Sequence, residues 1–216
     1  MNEFEARTIV CETGRRMVEK GLVAGTWGNV SLRLDEKRMV ITPSGMDYLK
    51  LSPEDIVIVD IETGTAQGRW KPSVETPLHA AILRARPDAN AIIHTHSTYA
   101  CAVAAARSEI PPILDELAQI VGGSVRTARY ALPGSPELVR HVLDALNGRN
   151  AVLLANHGAV CLGPDMEKAF LTCLVVEKAA LAFIHARALG GAIPLDDADV
   201  EAMNRYFARD YGQRNR

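Results

Sequence analysis

At 216 residues, 48% of them hydrophobic and 23% charged, the chain has the length and balance of a globular domain with a sizeable core, which excludes the disordered, collagenous and low-complexity classes. Its 24 Lys and Arg against 26 Asp and Glu give a formal net charge of −2 with no basic run, so no nucleic-acid partner is expected. Charged residues interrupt every apolar run, and Met1 to Lys20 contains no h-region, so neither a membrane span nor a signal peptide is expected and a cytoplasmic location follows.

In chain order, Phe4, Ile9, Val10, Met17 and Val18 recur at helical spacing up to Gly21, which suits a C-cap. From Asn29 the period becomes two: Val30, Leu32 and Leu34 alternate with Ser31 and Arg33, Asp35 to Lys37 turns, and Met39 to Thr42 is extended again, which is a hairpin. Ile56 to Ile61 reads as a strand, with Thr65 to Trp70 returning beside it. A helix from Thr76 to Arg86 stops near Pro87, Ala89 to Thr95 is a strand, and Ser97 N-caps an alanine-rich helix to Ala106. Leu114 to Val121 is helical and Val125 to Ala128 is a short strand. A helix introduced by Pro133, Gly134 and Ser135 runs to Leu146, and Ala151 to Ala155 is a buried strand. Asp165 to Leu189 holds a long helix closed by Gly190 and Gly191, and Asp196 to Tyr211 a last short one.

Without an internal repeat or a linker-like change in composition, residues 1–216 are expected to form one domain. Hairpin-joined strands followed by strands separated by helices predict an α/β fold of three layers: a central sheet, mixed or mainly antiparallel, with helices on both faces. Cys11, Cys101, Cys161 and Cys173 lack CxxC spacing and read as reduced core residues.

Chemistry concentrates at strand ends. His94 and His96 close the strand Ala89 to Thr95, and residues two apart in an extended chain face the same side, so the pair reads either as a metal chelate or as a hydrogen-bonding strand end. His157 is placed in the same way after Ala151 to Ala155; if the two strands are neighbours ending at one edge, three imidazoles meet. Three protein ligands with an open position is the catalytic pattern for zinc. Glu75 stands where a strand hands over to a helix, either as a solvated first-turn carboxylate or as a general acid/base beside a metal. Ser73 just before it, Gly25 to Asn29 and Thr42 to Gly45 combine exposed backbone N–H groups with hydroxyl or amide side chains, the materials of an anion site. Neither glycine segment has Walker or dinucleotide spacing, so ATP and NAD are not indicated.

Taken in order, GTWGNVS (25–31), ITPSGMDY (41–48), KPSVET (71–76), HTHS (94–97) and NHG (156–158) resemble the class II aldolase/adducin family over nearly the whole chain, and most of all its short L-fuculose-1-phosphate aldolase type. That type includes 5-deoxyribulose and 5-methylthioribulose 1-phosphate aldolases. The resemblance implies a homotetramer with active sites between subunits and a Zn2+ held by His94, His96 and His157. Glu75 becomes the acid/base, and a metal ligand when substrate is absent. The phosphate site falls on Gly28, Asn29, Ser44, Gly45 and Ser73, with Val74 where many relatives have a second serine. Tyr211 corresponds to the tail tyrosine that reaches the active site. The interface tyrosine falls near Asp115 or Glu116, where this chain has none, and Asp115 is the candidate in its place, a helix N-cap being the competing reading.

The implied activity is reversible cleavage of a ketose 1-phosphate, of the fuculose, 5-deoxyribulose or 5-methylthioribulose type, into dihydroxyacetone phosphate and an aldehyde. The rivals are a pentulose-phosphate 4-epimerase or a methylthioribulose-phosphate dehydratase on the same scaffold, and a non-catalytic module like the adducin head.

Overall fold

The first expected helix forms as α1 (Glu3–Glu19) in a computed structural model that describes residues 1–209. Asn2 caps it reciprocally: its side chain accepts from the Glu5 N–H, and the Glu5 carboxylate accepts from the Asn2 N–H. The hairpin is β1 (Asn29–Arg33) and β2 (Arg38–Ile41), closed by Asp35, whose carboxylate accepts from the Lys37 and Arg38 N–H groups. β3 (Val57–Asp60) follows, and of the expected return strand only Ala66–Gln67 pairs, as β4. The expected elements from Thr76 to Ala155 form as α2 (Thr76–Ala85), β5 (Ala91–Thr95), α3 (Thr98–Ala105), α4 (Asp115–Val121), β6 (Arg126–Ala128), α5 (Pro136–Leu146) and β7 (Ala151–Leu154). β8 (Gly158–Gly163), α6 (Met166–Ala188) and α7 (Asp197–Arg209) complete the described chain.

The eight strands form one sheet in the order β4-β3-β2-β1-β5-β8-β7-β6. Every neighbouring pair is antiparallel except β6 with β7, which the crossover helix α5 joins in parallel, so the sheet is mixed. Alternate residues feed two cores. Val30, Ile93, Leu153 and Cys161 meet α1, α3, α4 and α6 on one face, and Ile41, Ile92, Val152 and Leu162 meet α2 and α5 on the other. This is the expected α/β/α layering.

Two expectations need correction. β8 was not anticipated, and it lies between β5 and β7, so the strands leading to His94 and His157 are not neighbours. His157 instead sits in the tight turn from β7 to β8 and reaches β5 because β8 pairs with it. Ser97 occupies the N-cap position of α3 without a side-chain hydrogen bond; the Glu177 carboxylate of α6 accepts from the Tyr99 and Ala100 N–H groups in its place.

α6 has the length and apolar composition of a membrane-crossing helix. Phe170, Cys173, Val176, Ala179 and Ala180 are buried, and it packs against β5, β8 and α3 as a core helix does. All four cysteines are free: Cys11, Cys161 and Cys173 are buried, and Cys101 is half-buried. Burial pushes the Cys11, Cys101 and Cys173 thiols up, away from the reactive thiolate form.

Candidate metal centre and active-site cavity

The antiparallel register brings one end of four strands together. Asn29, first in β1, lies opposite His94 near the end of β5, and Thr95 lies opposite Ala159 at the start of β8. Gly28 makes this approach possible. Its φ is +79°, and a Cβ there would stand 2.6 Å from the His94 carbonyl oxygen, so backbone conformation and space both require glycine. Gly28→Ala is expected to destabilise the protein by roughly 1–3 kcal/mol, read as a lower urea midpoint at unchanged slope. An unaltered midpoint would show that β1 and β5 are not packed this closely.

His94 is fully buried, and its Nδ1–H donates to the Ala159 carbonyl at 3.0 Å, which turns the Nε2 lone pair outward from the strand. That nitrogen is 3.0 Å from His96 Nε2 and 3.3 Å from His157 Nε2, and the ligating atoms of the three histidines all lie within 4.8 Å of one another. Asn156, at φ +58°, makes the sharp turn that presents His157; its N–H donates to the Ala104 carbonyl and its Oδ1 accepts from Arg107 Nε. The Cys101 thiol donates to the His157 carbonyl, so this cysteine braces a histidine from behind.

Burial and the neighbouring imidazoles push His96 down to about 3 and His157 down to about 4, so both rings are neutral at working pH. The neutral His96 and His157 rings bring their Nε2 atoms to that of His94, a convergence of ring nitrogens that a cation would stabilise. The 3.0 and 3.3 Å separations match the edge of about 3.3 Å for a tetrahedron with 2.0–2.1 Å metal–nitrogen bonds. The donor set therefore fits a divalent ion, and imidazole suits zinc, cobalt or nickel alike.

Glu75 sits at the N-cap position of α2, 4% exposed, with Oε2 3.2 Å from His94 Nε2 and accepting from Asn29 Nδ2 at 2.8 Å. Its other oxygen, Oε1, is buried without a hydrogen-bond partner among the described residues. Burial pushes this carboxyl up, but the His94 ring, the Asn29 amide, His157 and His79 together outweigh it and hold it below the ordinary carboxylate range. Glu75 is thus ionised, adjacent to the cluster, with one oxygen unengaged.

A cavity of about 450 Å³ opens on this cluster. Its lining includes all five expected anion-site residues, Gly28, Asn29, Ser44, Gly45 and Ser73, as well as Glu75, His96 and His157. Trp27, within the expected Gly25 to Asn29 anion segment, lines it too, as does Pro133, which was expected only to introduce a helix; Trp27 is 64% exposed and its ring stacks on His96 at 6.2 Å between centroids. A groove of about 530 Å³ at the far ends of β1 and β5, lined by Ile9, Leu32 and Met166, is larger, but among the described residues the imidazole cluster belongs to the smaller cavity. Asp115 is exposed in the first turn of α4, where Leu114 is the N-cap residue, and does not line the cavity; Tyr211 lies outside the described residues.

The neutral histidines also set a pH dependence. His79, fully buried behind Glu75, is pushed by burial down to about 3. An unfolded chain protonates these rings below about pH 6.5, whereas the folded chain resists until about 3 to 4, so stability is full above about 6.5 and falls as pH drops toward 3. At about pH 4.5, His79 alone is expected to cost the metal-free protein roughly 2–3 kcal/mol, measured by urea denaturation against neutral pH. A midpoint that holds or rises on acidification contradicts this.

A family model described as the Class II Aldolase and Adducin N-terminal domain matches residues 8–184. A 5-deoxy-D-ribulose 1-phosphate aldolase of Bacillus thuringiensis serovar kurstaki is 34% identical over 201 residues, 93% of each chain. An L-fuculose phosphate aldolase of Escherichia coli K12 is 37% identical over 97% of this chain and 96% of its own. The fold matches a solved L-fuculose 1-phosphate aldolase with a TM-score of 0.90 at 36% identity, covering 94% of this chain and 96% of that one. Similarity also extends to a 3-oxo-tetronate 4-phosphate decarboxylase of Haemophilus influenzae, 35% identical over 77% of this chain and 80% of its own.

Proposed function

The chain belongs to the class II aldolase and adducin family, and on that footing we propose that it is a zinc-dependent aldolase, cleaving a ketose 1-phosphate reversibly to dihydroxyacetone phosphate and a short aldehyde. The observation that carries this reading is the convergence of three imidazoles and one buried, ionised carboxylate on a cavity that also holds the anion-site residues. Relatives that act on 5-deoxyribulose and fuculose phosphates support the substrate class, a ketose 1-phosphate of the fuculose, 5-deoxyribulose or 5-methylthioribulose type.

In this reading His94, His96 and His157 hold the ion, which when bound supplies a Lewis acid for the negative charge left on the ketone oxygen as the carbon–carbon bond breaks. Backbone N–H groups around Gly28, Ser44 and Gly45, with the Ser44 and Ser73 hydroxyls and the Asn29 amide, bind the phosphate and fix the sugar's register. Glu75 delivers a proton to the carbon that has lost its bond, and withdraws one from it in the synthetic direction. Tyr211 and Asp115 remain proposed for the proton on the aldehyde oxygen. Among the described residues no lysine lines the cavity, so the reaction has no Schiff-base nucleophile there.

We further propose that the chain is a single cytoplasmic domain that forms homotetramers; the exposed apolar side chains at the cavity, Trp27 at 64% and Val74 at 66%, support only the part of this in which a neighbouring copy covers the site. The reaction is tested by incubating the zinc-loaded protein with a panel of ketose 1-phosphates and with a 3-oxo acid phosphate. Triose phosphate and aldehyde in equal amounts support the aldolase. An epimeric pentulose phosphate with little free fragment, loss of water, or release of carbon dioxide from the acid instead would overturn it in favour of the corresponding relative.

A further inference from the structure

Behind Glu75 lies a second buried polar contact that the chemistry above does not use. Ser31 and His79 are both fully buried, and Ser31 Oγ and His79 Nδ1 share a hydrogen bond at 2.6 Å. Ser31 is two residues beyond Asn29 on β1, and His79 is four beyond Glu75 on α2. Two residues of strand advance about 6.6 Å and four residues of helix about 6 Å, so the two pairs form parallel rungs between the same strand and the same helix. The outer rung is Asn29 Nδ2 donating to Glu75 Oε2 at 2.8 Å.

Packing alone does not account for the inner rung. Neighbouring α2 side chains, Leu78, Ala80, Ile82 and Leu83, belong to the apolar core on this face of the sheet. A buried hydrogen bond in such a place is at best modestly favourable, and His79 Nε2 has no hydrogen-bond partner among the described residues, which adds an uncompensated cost. The helix start that carries Glu75 is tied to the preceding loop, Thr76 donating to the Ser73 carbonyl through its N–H and its hydroxyl, but these bonds do not join α2 to β1. Among the described residues no side chain of the N-cap residue caps the helix, and Ser73 Oγ accepts the Glu75 N–H. The His79 N–H, in turn, donates to the Glu75 carbonyl, so movement of His79 is transmitted to the residue at the cluster.

We infer that Ser31 and His79 are positioning residues for Glu75: their buried hydrogen bond, one helical turn behind the Asn29–Glu75 bond, clamps α2 to β1 and holds the carboxylate at the histidine cluster. The function of the clamp rests on the aldolase reading, but its geometry does not, and the test separates the two. Ser31→Ala removes one oxygen from the inner rung, His79→Leu removes the ring's polarity, and His79→Asn keeps a polar atom where Nδ1 stands.

The first readout is the visible spectrum of the cobalt-loaded protein without substrate, which reports the groups around the ion. Ser31→Ala and His79→Leu are expected to shift it in the direction seen for Glu75→Gln, and His79→Asn to restore it. The second is kinetic: kcat falls about 10- to 100-fold in Ser31→Ala at little-changed KM and thermal midpoint, and the loss disappears in a Glu75→Gln background, because the clamp acts through that carboxylate. An unshifted cobalt spectrum in Ser31→Ala overturns the clamp, as does a kcat loss that persists in the Glu75→Gln background. A wild type that cleaves no ketose phosphate overturns the aldolase reading and leaves the clamp to be decided by the spectrum. Because Ser31→Ala is a small change, this decision does not depend on whether His79→Leu folds.

Discussion

Glu75→Gln is expected to lower kcat by about 100- to 10,000-fold, the span for losing a positioned general acid/base, while KM for the ketose phosphate changes by no more than a few-fold. Glutamine keeps the shape of the side chain and an oxygen for the Asn29 amide, so the outer rung to β1 survives. What it lacks is an oxygen that can carry a proton, the role open to Oε1, which has no hydrogen-bond partner among the described residues. The same variant should lose exchange of solvent deuterium into dihydroxyacetone phosphate in parallel with kcat, since both need the proton moved at one carbon. A kcat within ten-fold of wild type, or exchange that continues at the normal rate, would remove Glu75 from the proton-transfer role.

His94→Ala is expected to abolish metal binding, from about one ion per chain to near zero, and to reduce cleavage to background even with zinc added. His94 is the centre of the cluster: its Nε2 lies 3.0 Å from one histidine, 3.3 Å from another and 3.2 Å from Glu75. The substitution also leaves the Ala159 carbonyl without its imidazole donor in a buried place, a cost of roughly 1–3 kcal/mol. A thermal scan separates that cost from loss of the ion. His96→Ala is the milder companion, since His96 is only half-buried and stands at the cavity mouth beside Trp27. Metal retained at full stoichiometry in His94→Ala would mean that the ion does not bind to these imidazoles.

Much of this site was legible because strand periodicity and motif order carry it. His94 and His96 sit two apart at a strand end, and the structure does turn both toward one point. Ser73, Ser44 and Gly28, chosen as glycine and hydroxyl positions, line one cavity although they come from three separate loops. β8 was hidden because it is buried on both faces and therefore shows no alternation, and because Gly158 and Gly163 read as breakers. There the glycines serve close packing: a Cβ at Gly158 would collide with the Thr95 carbonyl, and one at Gly163 with the Ala169 backbone. Missing β8 made β5 and β7 look adjacent. The Glu177 cap on α3 joins residues far apart in the chain, and no local pattern announces it. The Ser31–His79 rung left a weak trace, since His79 falls four residues after Glu75 on an expected helix, but its partner depends on β1 lying beside α2.

The most direct test of the account is a metal titration of the metal-stripped protein, following triose phosphate release from 5-deoxyribulose 1-phosphate or fuculose 1-phosphate. The account predicts no activity without metal, and recovery that rises linearly with added zinc and breaks at about one equivalent per chain. Cleavage that proceeds at full rate in the stripped protein, or no cleavage of any ketose 1-phosphate at saturating zinc, would contradict it.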